Sequence, residues 1–211
     1  MQQWKWALGG VVLGLLGGCA SLPTQYFSLA SPGQIAAAES DALPWSADYG
    51  MRLKVVSIPA EVNRLQLLVR DPAADPSVEI LNQSLWAAPL GDQLQSALAA
   101  QVSTLLGAPD LQQMTVSPSM PVRDIKLRIT RFELIWGQGT RLDAVWVDQP
   151  PGQNPARLCQ AHISTVGTQP EVASLVEHQR QALHQLAASI AGAGVPVGSP
   201  VSGLVLKGGC T

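Results

Sequence analysis

Cysteine and histidine, three of each, are the side chains of this 211-residue chain best suited to covalent or metal chemistry. A thiolate can be acylated, attack a carbonyl or pair with a second thiol, and an imidazole can carry a proton or bind zinc. Spacing decides among these. Cys19, Cys159 and Cys210 lie far apart and form no C-x-x-C or C-x-x-H step, so a zinc site has no sequence support. His162, His178 and His184 give no H-x-x-x-H step, and six residues set His178 and His184 nearly opposite each other on a helix. No G-x-S-x-G elbow and no phosphate-binding glycine loop is present, so the chain is not the ATPase of a transporter. Asp71 and Asp75 each precede a proline and lack the acidic neighbours that calcium needs, which makes them turn residues. The reading is no catalytic residue, no metal, no cofactor and no enzyme.

Cys19 stands apart because of what precedes it. The chain opens MQQWKWALGGVVLGLLGGCA, with Lys5 as its one charge. A helix rises about 1.5 Å per residue, so the uncharged stretch Trp6–Gly18 spans ~20 Å. A bilayer core is about 30 Å thick and takes about 20 residues. The run is too short to span and has the form of a secretory signal: a weakly basic start, an apolar centre and small residues before the cut. Leu16-Gly17-Gly18-Cys19 resembles the bacterial lipobox, in which the cysteine thiol receives a diacylglyceryl group and becomes the new, acylated N-terminus. The expectation is a covalent lipid on Cys19 and no other bound group. Ala20 and Ser21 follow in place of the aspartate usual in inner-membrane lipoproteins, which favours the outer membrane.

That compartment frames the rest. It is oxidising, so Cys159 and Cys210 are two thiols available to pair. The alternative is a buried Cys159 with a free Cys210. Basic residues number 13 against 15 acidic, a net charge of −2, and no Lys/Arg run occurs. Nucleic acid is therefore not expected as a partner. Charged residues make up only 13% of the chain, which predicts a weakly charged interaction surface.

The elements that would hold these groups can be read from periodicity. Thr24–Ala30 reads as a short strand, followed by a small-residue linker that carries Trp45. Met51–Pro59 alternates on both parities and reads as a strand buried on two sides. Leu65–Arg70 and Val78–Leu81 give two more strands. Trp86–Gly107 reads as a helix with Leu90, Leu94, Leu98, Val102 and Leu105 on one stripe, Pro89 in its first turn and Gly107 as its stop. Ile125, Leu127 and Ile129 share a parity that Phe132, Leu134 and Trp136 reverse, predicting a bulge near Thr130-Arg131. Gly137-Gln138-Gly139 turns the chain into a return strand with Leu142, Ala144 and Trp146. Arg157–Val166 adds a third antiparallel strand. Thr168 and Glu171 have capping-box spacing ahead of a last helix whose apolar side is Val172, Leu175, Val176, Leu183, Leu186 and Ile190. The fold class is α/β: a single domain with a mixed, mostly antiparallel sheet and two main helices packed on it. Its organisation is 1–18 signal, 19–50 lipidated N-terminus, short strand and linker, 51–192 α/β domain, and 193–211 a Gly/Pro-rich tail. The tail is loose unless Leu204–Leu206 pairs with an edge strand and Cys210 ties it down.

Taken together, the lipobox, the YFSL strand, VVSIPAEVNRLQLLVRD, LWAAPLGDQLQSALAAQV and RFELIWGQGTRLDAVW resemble the ABC-transport auxiliary lipoproteins of the PqiC/YmbA type. The likeness runs from about Tyr26 to Ile190 and includes no catalytic motif. It implies an outer-membrane lipoprotein on the periplasmic face of a Gram-negative bacterium, serving a Pqi-type lipid transport system. The implied partners are a periplasm-spanning MCE-domain protein and an inner-membrane transport protein, with a homo-oligomeric ring. The implied cargo is phospholipid or another apolar molecule, and the consequence is membrane integrity. A structural envelope lipoprotein without a transport role is the alternative. Trp45, in its loop, and Arg64 and Arg70, on the matching segment, are the candidate partner or lipid contacts.

Overall fold

The computed structural model describes residues 23–30, 45–74, 76–192 and 204–211. Cys19, the leader before it and Asp75 lie outside the described residues. One long strand organises the rest. Ile125, Leu127 and Ile129 of β5 (Val122–Ile135) are buried on one parity. A register shift between Ile129 and Arg131 then moves Phe132 and Leu134 onto the same buried side. Gly137 and Gly139 take positive φ in the turn, and a Cβ at Gly139 would strike the Thr165 carbonyl, so glycine is required there. The chain returns as β6 (Gly139–Gln149) and again as β7 (Arg157–Thr165), both antiparallel to their neighbours.

The other edge of β5 is shared. β2 (Gly50–Ser57) pairs in parallel with its first half, from Val122 to Arg128. β3 (Gln66–Arg70) pairs in parallel only at Leu134 and Ile135. β4 (Val78–Trp86) lies antiparallel to β3, and β1 (Gln25–Phe27) runs parallel to β4 at the sheet's end. β8 (Leu204–Cys210) closes the opposite end against β7. The result is an open, mixed eight-stranded sheet.

Two helices, α1 (Leu90–Leu106) and α2 (Val172–Ala191), cover one face of this sheet and touch each other. Leu90, Leu94, Leu98 and Val102 of α1 are fully buried, as are Leu183, Leu186 and Ala187 of α2. Both helices end on a glycine in the left-handed conformation, Gly107 and Gly192. Polar groups tie the layers together. Gln95 of α1 accepts the Val55 N–H (2.8 Å) and donates to the Leu53 carbonyl (2.7 Å), covering the outer edge of β2. Gln93 accepts the Leu29 N–H (2.9 Å), and Arg180 of α2 donates to the Ser28 carbonyl (2.7 and 3.0 Å), so the end of β1 is held by both helices. Arg123 forms a buried bidentate pair with Asp148 (2.8 and 3.0 Å) and donates to the Ile190 carbonyl (2.8 Å). That carbonyl belongs to the last turn of α2, whose free acceptors favour a cation.

Several sequence expectations are corrected. α1 begins at Leu90, not at Trp86. The Trp86 and Ala87 N–H groups are committed to the Leu65 and Phe27 carbonyls (2.7 and 2.8 Å), which extends β4 far past Leu81. Leu105 is exposed at the end of the stripe, where Leu106 packs instead. The Thr168–Glu171 capping box does not form: Glu171 is the extended N-cap without a side-chain cap bond, while Gly167 is drawn to the Gln138 carbonyl (3.2 Å). β2 is covered on one face only, since Val56 is exposed. The tail takes the ordered alternative, as β8. A disulfide joins Cys159 to Cys210, with Cα atoms 4.0 Å apart. The flanking Leu158–Thr211 pair exchanges both backbone bonds (2.9 and 3.3 Å), so the cysteines occupy the adjacent narrow pair, where side chains approach most closely.

Candidate functional site

The second face of the sheet carries no helix among the described residues, and its strands alternate. Each residue that points to the helices is followed by one that points away. In β2 and β5 the outward positions are Arg52, Lys54, Asp124, Lys126 and Arg128, interleaved with buried Met51, Leu53, Ile125 and Leu127. Register carries the charge across strands. Arg52 lies opposite Asp124, Lys54 opposite Lys126, and Lys126 in turn opposite Val147 and then Leu158. Further along, Asp143 faces His162, and His162 faces Lys207; Arg141 faces Glu133 on one side and Ser164 on the other.

Some of this charge is neutralised in place. Asp143 receives Arg131 at 3.4 Å and His162 at 3.2 Å, and Glu133 receives Arg70 at 3.4 Å. These are half-exposed pairs and contribute little to stability. Arg52, Lys54, Lys126, Arg128, Arg141 and Lys207 form no ion pair among the described residues. Exposed apolar side chains sit between them: Val56, Val147, Leu158 and Val205. The weakly charged surface read from composition is thus corrected. Basic residues that never form a run in sequence gather on one face, because a strand period of two sorts them there.

A cleft of about 210 Å³ opens beside this face, where β2 and β3 diverge along β5. Leu68, Arg70, Thr130, Arg131 and Glu133 line it. It is smaller than the ~300 Å³ at which small-molecule sites begin.

The residues singled out in sequence do not converge. Trp45 is exposed, and its neighbours Ser46 and Ala47 donate to the Gly107 carbonyl at the end of α1 (2.9 Å each). Arg64 is exposed after the 3-10 turn Ala60–Val62, and Arg70 lies in the pair with Glu133. Cys159 and Cys210 are at the far end, in the β7–β8 staple. The six basic residues are not legible in the sequence as a group; the local trace is two alternating pairs, Arg52 with Lys54 in MRLK and Lys126 with Arg128 in IKLR, each charge separated by an apolar side chain. Trp86 and Trp146 are buried, Trp86 edge-on to Phe132 at 6.1 Å, and Trp136 donates to Glu79 at 3.2 Å. Asp71 accepts the Ala73 N–H (2.9 Å), as a turn residue does. No group of three or more metal-binding side chains occurs among the described residues.

Comparison with known proteins adds three findings. The family model for the ABC-type transport auxiliary lipoprotein component matches residues 29–191, more than half of the chain. A crystal structure of an uncharacterized protein superposes with a TM-score of 0.61 at 19% identity, over 81% of this chain and 98% of the other. A crystal structure of a Xanthomonas campestris protein of family DUF330 superposes with a TM-score of 0.52 at 14% identity, over 81% and 91%. At these identities the two structures share the fold. No curated protein matches the sequence.

Proposed function

The chain belongs to the ABC-type transport auxiliary lipoprotein family, and from that premise we propose that it is the outer-membrane component of a Pqi-type, MCE-associated lipid transport system. Its part is to hold the far end of a periplasmic conduit at the membrane, and membrane integrity depends on it. Cys19 carries the lipid. The observation that carries this reading is one juxtaposition: the family match opens at residue 29, ten residues after a cysteine in lipobox context. Among the described residues no helix is long and apolar enough to cross a membrane; in this reading the acyl chains on Cys19 are the tether. Each buried methylene contributes about 0.8 kcal/mol, and one chain alone anchors only marginally, so several are needed.

The test is genetic and biochemical. Deletion of the gene should sensitise cells to detergent, most visibly when parallel transport systems are also missing. Cys19→Ser, folded and exported, should fail to restore resistance, and mass spectrometry of the native N-terminal peptide should find it acylated. Full rescue by the soluble variant would overturn the docking role. Purification without an MCE-type protein, where one is expressed, would favour a structural envelope lipoprotein instead.

A further inference from the structure

The open sheet face has a charge that folding does not explain. Lys54 and Lys126 are directly opposite in register, flanked by Arg52 and Arg128. Like charges placed opposite each other on a sheet destabilise it. Lys54, Lys126 and Lys207 are all the lysines of the chain after Lys5, and all three are exposed on this one face. The helical side is the reverse: Asp92, Glu171 and Glu177 lie there, and Arg180 is held by Glu177 and the Ser28 carbonyl. A chain of net charge −2 thus keeps a basic face and an acidic back.

We propose that this basic face lies flat on an anionic lipid surface, that of the membrane holding the Cys19 anchor. The inference rests on the proposed acylation of Cys19 for which membrane is near, and on the face itself for what touches it. Only residues 20–24 separate Cys19 from β1, a tether that reaches ~20 Å at full extension. β1 brings Tyr26 to the same face, since Tyr26 is in register with Leu85 while Phe27 is in register with buried Trp86. Tyr26 is 67% exposed, and an amphipathic ring suits the headgroup level. Leu158, in register with exposed Val147, and Val205 lie about half exposed among the basic residues, the mixture by which surfaces bind anionic lipid. A protein partner would instead require a larger apolar anchor in a dry pocket; here the outward apolar residues form two small groups, Val147 with Leu158 and Leu68 with Ile80 and Val78, and only the second borders a cleft, a shallow one of about 210 Å³. With the basic face on lipid, the helices and Trp45 remain turned toward the periplasm for a conduit.

The experiment uses the full lipoprotein, reconstituted with vesicles of phosphatidylcholine alone or mixed with phosphatidylglycerol. Flotation on the neutral vesicles reads the anchor. Acetylation of Lys54, Lys126 and Lys207 by an impermeant reagent, read by mass spectrometry, reports the face. On anionic vesicles each lysine should label about fivefold more slowly than on neutral ones, as ~1 kcal/mol per basic residue predicts. The protection should vanish in about 1 M salt, where the screening length is about 3 Å. Lys54→Glu with Lys126→Glu, its fold checked by circular dichroism, should lose the protection of Lys207. Equal labelling on both vesicles, with flotation intact, overturns the proposal and spares the anchor. Flotation on anionic vesicles only removes the anchor and keeps the face. Protection that needs envelope proteins and not lipid charge assigns the face to a protein and overturns the proposal.

Discussion

The two faces of one sheet are made of the same strands and behave as different materials. On the helical side, Leu53, Leu127, Leu142 and Ile163 pack into a continuous apolar layer, and the guanidinium that enters it, Arg123, is held by the Asp148 carboxylate and the Ile190 carbonyl. On the open side, Lys54 lies opposite Lys126 and neither forms an ion pair among the described residues. A buried charge must be satisfied inside the protein, whereas water satisfies an exposed one at little cost. The first face therefore specifies the fold, and the second is free to be shaped by what the protein meets.

Mutation of the two sides should separate them cleanly. The largest effect is expected at Asp148. Asp148→Ala removes the bidentate partner of Arg123 and leaves a guanidinium buried against one carbonyl, which should cost about 3–5 kcal/mol by urea denaturation. Arg157, the more exposed second donor to Asp148, should matter far less. A loss below ~1 kcal/mol for Asp148→Ala would mean that water reaches Arg123 and that the covered face is less dry than described. Next come adjacent residues of β5. Leu127→Ala, at a fully buried position, should cost about 2–5 kcal/mol. Lys126→Ala, one residue away and pointing outward, should stay within about 0.5 kcal/mol, with the sign toward stabilisation because Lys54 loses a like neighbour. A large loss at Lys126 would show that the open face is packed after all.

Most of this contrast is legible in the sequence, and the failures have physical causes. The alternation in β5 to β7 and the bulge at Thr130-Arg131 can be read because a half-buried strand has a period of two. The stripe of α1 is equally plain. Its start is not legible, because Trp86 and Ala87 fit a helix by composition, while long-range backbone bonds to Leu65 and Phe27 hold them in the sheet. The basic face is spread over β2, β5, β6 and β8, strands far apart in the chain, so no local window contains it. Its assembly depends on topology, and the shared edge of β5 is the least predictable part of that topology.

The sheet's ends offer a third, smaller test. β1 is held by side chains of both helices, whereas β8 is held by ladder bonds and the Cys159–Cys210 disulfide. The bond closes a loop across a sequence separation of 51, for which chain entropy predicts about 4 kcal/mol, with measured values more often 2–4. Cys210→Ser should lower stability within that range and speed hydrogen exchange in β8 and the facing amides of β7, leaving β5 slow. Two reactive thiols after Cys19 in unreduced, unfolded protein would show that the bond is absent.

The smallest effect is expected at Asp110, a half-buried carboxyl at the edge of β2 that forms no ion pair among the described residues. Its neighbour Leu111 donates to the Met51 carbonyl (2.8 Å), and Met51 donates back to that of Pro109 (2.9 Å), pinning the Asp110 backbone beside β2. Burial raises the Asp110 pKa above the ordinary 3.8, and the Gln112 N–H bond (3.1 Å) offsets part of the rise. A carboxyl whose pKa is higher folded than unfolded penalises the fold whenever it is ionised. The penalty is full above the folded pKa and fades as pH falls through it toward 3.8. Asp110→Asn keeps an acceptor for Gln112 and discards the charge. It should therefore raise the urea midpoint modestly at neutral pH, with an unchanged m-value, and the gain should shrink toward pH 4. Equal midpoints at both pH values would mean that the bond from Gln112 balances burial, and a loss at neutral pH would mean that it prevails. Either result would place the carboxylate among the satisfied charges of the covered face, with Asp148, and leave like-charge crowding to the open face alone.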